Sequence, residues 1–346
     1  MPAPAVVVST LPQTIPADAP QLQLIGRFDR SDAAGPRCAW SASTVRLRFE
    51  GSALNVRLKS TGADFWEVFL DGHAVSTIEI IPAVELYTVG RDLTAGPHVI
   101  ELVKRTEFNI GVTQLLGFQA EAQGQLLPAP APRARRIEVI GDSISCGYGN
   151  EAPTKEEKFT PRRESAAITY AALAAHELEA DYLCIAWSGK KLWPNNSILD
   201  HYDLVLPKEQ KAAVWDFAAW SPDVVVINLG TNDFGVSDPQ GAGWTAAYRA
   251  LIQRLRRQYP QAWIYPTLGT MLGDWPAPRK PASTIRGYLT TITREFNAAG
   301  DTKVRFIDFG TQKPENGYGG SYHPSAKTHA LMARQLVKTL RADLGW

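Results

Sequence analysis

Three side chains far apart in this sequence are of the types that together cleave an ester: the hydroxyl of Ser143, the imidazole of His323 and the carboxamide of Asn232. A serine hydroxyl is a weak nucleophile near neutral pH. It needs an imidazole within hydrogen-bond reach to take its proton as it attacks a carbonyl. The tetrahedral oxyanion formed next needs fixed donors, and backbone amides with an asparagine side chain are suitable. The amides of Ser143 and of Gly189, in Trp187-Ser188-Gly189-Lys190, together with Asn232, make up such a set.

Each group needs an element to hold it. Ser143 follows the apolar run Ile137-Glu138-Val139-Ile140 through Gly141 and Asp142. The run reads as a buried parallel strand, and the glycine permits a tight turn that lifts the serine from the sheet's carboxyl edge, where open α/β sheets carry chemistry. Taken alone, Gly141-Asp142-Ser143-Ile144 fits a plain strand-to-helix turn with a serine N-cap equally well. Residues 223–229 repeat the buried-strand pattern and end in Gly230-Thr231-Asn232-Asp233, which projects Asn232 at a carboxyl edge. His323, in Tyr322-His323-Pro324-Ser325, precedes an amphipathic run carrying Ala330, Leu331, Leu336, Val337 and Leu340, so it lies in a loop before a helix.

The ordered blocks Gly141-Asp142-Ser143, Gly189, Gly230-Thr231-Asn232-Asp233 and His323-Pro324 resemble those of the SGNH, or GDSL, hydrolases. The resemblance implies a serine nucleophile at Ser143, a histidine base at His323, and Gly189 and Asn232 as oxyanion donors. Many such enzymes carry an aspartate two or three residues before the histidine, whereas this chain has Gly320 and Ser321 there. Either a backbone carbonyl holds the ring, giving a Ser-His dyad, or a distant carboxylate such as Asp308 does. The dyad is favoured, because a carbonyl accepts the ring N–H adequately.

At 346 residues the chain exceeds one small core, and a break is visible at 123–135, a Pro-rich, charge-flanked linker. Ahead of it, residues 21–122 show short alternating segments such as Val45–Phe49, Leu54–Leu58, Trp66–Leu70 and His98–Val103, with Gly51-Ser52 and Asp71-Gly72 as hairpin signals. That pattern predicts an all-β, jelly-roll-like sandwich, preceded by an extension over 1–20. Residues 136–346 alternate buried strands with helix-length segments such as Tyr248–Tyr259, predicting a three-layer α/β/α domain on a parallel sheet.

A sandwich ahead of an SGNH domain, with Lys104-Arg105-Thr106-Glu107 and Leu116-Gly117-Phe118 near its end, is similar to carbohydrate esterase family 2. The resemblance implies a serine O-acetyl esterase acting on plant cell-wall polysaccharides such as xylan and glucomannan, without a cofactor, as an exported protein. Residues 1–20 lack a charged n-region followed by an apolar core, so no signal peptide is read there; because the resemblance implies export, a secreted or periplasmic mature form is expected, with a cytoplasmic deacetylase as the alternative. Two other readings are a lipid or thioester acyl hydrolase, against which the polar loop Lys190-Lys191-Leu192-Trp193 argues, and a carbohydrate-binding protein with a silent hydrolase domain. The sandwich is expected to wall the acyl site through residues 106–113 rather than act as an independent binding module.

Net charge is +1, from 36 basic and 35 acidic residues, so nothing draws the chain to nucleic acid or an anionic membrane, and a monomer acting on acetylated polysaccharide or oligosaccharide is expected. Cys38, Cys146 and Cys184 are too few for a disulfide scaffold. His329 lies six residues beyond His323, a spacing that puts the two on different helical faces, so no metal pair is read. Asp142 and Asp233 read as acceptors of backbone N–H groups in their turns. Of the ten tryptophans most are expected in cores, while Trp193 and Trp244, near the Gly189 and Asn232 turns, are the candidates for stacking on a sugar ring.

Overall fold

The computed structural model describes residues 12–209 and 211–346. The first half comprises β1 (Gln13–Ile15), β2 (Gln23–Ile25), β3 (Phe28–Asp29), β4 (Arg37–Cys38), β5 (Thr44–Glu50) and β6 (Leu54–Ser60). It continues with β7 (Phe65–Leu70), β8 (His73–Glu79), β9 (Leu86–Gly90), β10 (Pro97–Lys104), β11 (Thr113–Ala120) and β12 (Gln125–Leu126). Strict alternation in β6 and β10 sends Leu54, Val56, Leu58, Ile100 and Leu102 to one side, where they are fully buried. Two antiparallel sheets stack on this core, one in the order β3-β4-β11-β6-β9 and the other β12-β5-β10-β7-β8, with β1 and β2 added on β11 and β5.

The two turn signals diverge. Asp71-Gly72 closes the β7–β8 hairpin with both residues at positive φ, +50° and +82°, as a two-residue turn of that hand requires. Gly51-Ser52 instead carries the chain from β5 in one sheet to β6 in the other. Part of each flanking segment also lies within the sandwich. In the 1–20 extension, residues 1–11 fall outside the described residues, while β1 pairs with β11 and buries Ile15. Within the 123–135 segment, Gln125 and Leu126 pair with β5 before the chain crosses to the second half.

That half contains β13 (Arg135–Gly141), β14 (Ala180–Ala186), β15 (Val224–Asn228), β16 (Trp263–Leu268) and β17 (Ile307–Asp308) in one parallel sheet ordered β14-β13-β15-β16-β17. Its helices are α1 (Ser143–Cys146), α2 (Tyr170–Glu177), α3 (Thr231–Phe234), α4 (Gly241–Gln258), α5 (Pro281–Ala298) and α6 (Ala326–Leu344). Ile137 and Val139 of β13 join the core shared with α2 and α6, whereas Ile140 joins that shared with α4 and α5. Both faces are therefore covered, which is why the strands read as continuous apolar runs. The order reverses between β14 and β15 around β13, so the loops leaving β13, β14 and β15 meet at one carboxyl edge.

Candidate active site

Ser143 opens the one-turn helix α1 directly after β13 and is 5% exposed. The turn is tight enough that a Cβ on Gly141 would fall 2.2 Å from Ser145 Oγ, which excludes any side chain there. Asp142 caps the turn by accepting the Ile144 N–H at 3.0 Å. Its carboxyl is pushed up to about 7 by burial, with the nearby Asp233 adding to the effect.

His323 is brought to this edge by the loop before α6. Ser321 and Tyr322 both adopt left-handed backbone, with φ of +52° and +61°, an unfavourable conformation for either residue type. The resulting turn puts the Gly320 carbonyl 3.1 Å from His323 Nδ1, so Nδ1 carries the proton and Nε2 is the acceptor. Nε2 lies 2.9 Å from Ser143 Oγ, the distance at which a hydroxyl proton can pass to the ring. The Tyr148 ring covers the imidazole with centroids 4.2 Å apart, and Phe159 stacks behind Tyr148 at 4.5 Å. Burial pulls the His323 pKa down to about 4, against the opposing effect of the Gly320 carbonyl.

Gly189 lies in the turn after β14, exposed, with φ of +78°, a region that favours glycine. The turn is tied down residue by residue. The Gly189 carbonyl accepts from Asn196 Nδ2 at 3.0 Å, and Lys190 Nζ donates to Asn196 Oδ1 at 2.9 Å. Asn232, at the start of α3, donates from Nδ2 to the Lys190 carbonyl at 2.9 Å and to Asp142 Oδ2 at 3.3 Å. Its carboxamide thus lies between the nucleophile turn and the Gly189 turn. Asp233 accepts the Leu192 and Trp193 N–H groups at 3.1 and 3.0 Å, and its own pKa is raised by burial. A buried serine on an imidazole, with a carboxamide and a glycine turn alongside, can run acyl transfer through a covalent ester.

Both halves of the chain match known protein families. Residues 24–130 match the family model for the carbohydrate esterase 2 N-terminal region, and residues 139–331 that for the GDSL-like lipase/acylhydrolase family. An acetylxylan esterase/glucomannan deacetylase of Cellvibrio japonicus is 30% identical over 89% of this chain and 86% of its own length. A solved family two carbohydrate esterase from Clostridium thermocellum, in complex with cellohexaose, is 41% identical, with a TM-score of 0.89 over 94% of this chain and 99% of that one. The chain belongs to carbohydrate esterase family 2. It is accordingly an ester hydrolase of the GDSL type. The cellulase/esterase CelE of Acetivibrio thermocellus is 41% identical over 96% of this chain, and the match spans 41% of that larger protein.

In this family 2 esterase two candidate positions, Asp308 and Trp244, lie away from the roles weighed for them. Asp308 does not face His323: its carboxylate pairs with Arg286 at 2.6 Å and accepts the Gly310 N–H at 2.8 Å. Trp244 is fully buried and cannot meet a sugar; it packs edge-on against Phe234 and donates from Nε1 to Asp233 Oδ1 at 3.0 Å. Its place in the first turn of α4 faces the core, which proximity to Asn232 in sequence does not reveal. Trp193 is half-buried, its indole lying across Gly243 of α4. His329 is buried and accepts the Tyr170 N–H at Nδ1, 3.2 Å away, as a packing residue of α6.

Other contributors escaped the sequence reading. Tyr322, 54% exposed, stands immediately before the base, with Lys155 Nζ 5.1 Å from its ring centroid. Its position next to His323 was the available signal. Glu107 lies in the 106–113 run expected to wall the acyl site, though nothing marked out its contact with Ser188, and Tyr148 had no signal, since its contact with His323 joins distant parts of the chain.

Proposed function

We propose that this esterase removes acetyl groups from plant cell-wall polysaccharide through an acyl-enzyme on Ser143. The 2.9 Å hydrogen bond between His323 Nε2 and Ser143 Oγ, with Nδ1 anchored on the Gly320 carbonyl, carries this reading. His323 takes the hydroxyl proton as Oγ attacks the acetyl carbonyl. The Ser143 and Gly189 amides and Asn232 bear the oxyanion; the long 3.3 Å contact of Asn232 to Asp142 is the one exchanged for it. The imidazolium then protonates the sugar oxygen as its bond to the acetyl carbon breaks, so that the sugar departs with a free hydroxyl and the acetyl group stays on Ser143. Water, deprotonated by the same ring, releases acetate.

The dyad is sufficient because Gly320 fixes the tautomer, although a carbonyl stabilises the imidazolium less than a carboxylate does. The exposed face of Tyr322 and the half-buried Trp193 are suited to stack against a pyranose beside the acyl site. The Cellvibrio relative named for acetylxylan and glucomannan supports a polysaccharide substrate of that class, and the Clostridium relative's complex with cellohexaose supports binding of a β-linked glucan-type chain.

The test is Ser143→Ala, assayed on a chromogenic aryl acetate and on natively acetylated xylan and glucomannan with acetate release as the readout. Loss of both activities in a folded variant is expected. Retained turnover refutes Ser143 as nucleophile, and a preference for long acyl chains in the unmodified protein refutes the acetyl assignment.

A further inference from the structure

A carboxylate of the sandwich reaches the catalytic edge, beside the Phe108 ring that packs on Trp187 at 4.0 Å. Glu107, just past β10, is 1% exposed, and its Oε2 accepts the Ser188 N–H at 2.7 Å. The same oxygen receives the Cys146 thiol at 3.6 Å, Cys146 being the last residue of the helix that begins with Ser143. One atom from the other domain is thereby held between the two segments whose relative position fixes nucleophile and oxyanion donors. Glu107 is itself secured: its N–H donates to Glu164 Oε2 at 2.9 Å, and Arg105, two residues before it, donates to the Glu164 carbonyl at 3.3 Å and to Glu67 at 2.7 Å. Burial pushes the carboxyls of both Glu107 and Glu164 upward.

We infer that Glu107 is a positioning residue for the esterase reaction, a sandwich-domain acceptor that aims the Gly189 amide by fixing Ser188 against the nucleophile helix. Ser188 precedes Gly189, so a rotation of the 187–188 peptide plane re-aims the following amide. Of the other ties of the turn, Asn196 on the Gly189 carbonyl and Asn232 on the Lys190 carbonyl restrain its far side, and the Lys190 N–H closes it onto the Trp187 carbonyl at 3.2 Å, so Glu107 is the acceptor that fixes the 187–188 peptide against the nucleophile helix from outside the turn. An oxyanion donor has to be placed within a few tenths of an ångström, and a displacement of ~1 Å costs about a hundred-fold in rate. The inference rests on the acyl-enzyme reading above.

The experiment compares Glu107→Ala, Glu107→Gln and Glu107→Asp with the unmodified protein on an aryl acetate, separating kcat from KM and following Tm. Glu107→Ala is expected to lower kcat about ten- to a hundred-fold with KM within about two-fold, since the donor acts on the transition state. Glu107→Gln retains an acceptor oxygen and should recover kcat to within about five-fold of the unmodified protein. Glu107→Asp withdraws the acceptor by one methylene and should lower kcat at least about five-fold; it stands in if the alanine variant does not fold. A Tm loss with unchanged kcat in the alanine or aspartate variant overturns the inference, as does a glutamine variant no better than alanine. Failure of the unmodified protein to turn over the ester would instead refute the acyl-enzyme reading itself.

Discussion

The imidazole of His323 has a carbonyl where a triad has a carboxylate, and that difference has a titratable consequence. The ring acts as a base only when neutral. Burial beneath Tyr148 holds its pKa at about 4, below the ordinary imidazole value near 6.5. The active form is therefore populated at neutral pH and is lost as pH falls through about 4. The acid limb of kcat/KM should bend there, and Tyr148→Ala, which opens the ring to water, should move the limb up toward the ordinary value. A limb near 6.5 in the unmodified protein would mean that the ring is solvated or paired with a charge. Asp308→Asn should leave kcat within about two-fold, since its partner is Arg286; a triad aspartate would cost about 10⁴-fold. Ser143, His323 and Asn232 were legible because each sits at a glycine or proline turn beside a strongly patterned element. From sequence the dyad is favoured over Asp308 only because a carbonyl is an adequate acceptor, since the geometry itself depends on which way a loop with left-handed Ser321 and Tyr322 turns its carbonyls.

At the scale of elements, α4 and the segment after β14 support one another. Asp233 gathers the Leu192 and Trp193 amides, and Trp244 in the first turn of α4 completes its coordination. Removing the Trp244 side chain leaves a core cavity and takes a donor from a buried carboxylate. Trp244→Ala should destabilise by about 3–5 kcal/mol, measured by urea unfolding, without a selective rise in KM for polysaccharide over aryl acetate. Trp193→Ala should raise KM for acetylated polysaccharide more than for the aryl ester; equal effects on both substrates would reject its stacking role. The sheet was readable because β15 is apolar on both faces and β13 is so apart from Glu138, and β6 and β10 because they alternate. Helix ends were less so: α4 begins at Gly241, well ahead of the periodic stretch from Tyr248, because its first turns pack Trp244 inward without an N-cap side chain to announce them. Gly51-Ser52 shows the same limit, since a turn signal marks a reversal but not the sheet to which the next strand belongs.

At the scale of the molecule, the two halves share their cores. Trp40 and Phe108 of the sandwich pack in one cluster with Tyr202, Leu206 and Trp244 of the catalytic half, and Trp40 Nε1 donates to the Leu204 carbonyl at 3.2 Å. Arg27, between β2 and β3, is fully buried in the catalytic half, where it donates to the Tyr202 and Leu204 carbonyls. Its guanidinium lies 5.1, 5.3 and 5.5 Å from the ring centroids of Tyr202, Trp215 and Phe217. The counter-charge is Glu138 of the nucleophile strand, also fully buried and held by the Tyr202 and Tyr259 hydroxyls at 2.5 and 3.2 Å. Burial lowers the Arg27 pKa and raises that of Glu138, and the attraction of each group to the other opposes the shift. Domains joined in this way cannot separate without exposing a cation and an apolar core to each other's absence, unlike domains that meet through a thin polar contact. Two consequences should be seen by calorimetry. The protein should unfold in a single transition with equal calorimetric and van't Hoff enthalpies, and Arg27→Ala, which strands Glu138, should lower stability by about 3–5 kcal/mol. Two resolved transitions, with Arg27→Ala moving only the smaller, would show that the sandwich folds as an independent unit and leans on the catalytic domain without being part of its core.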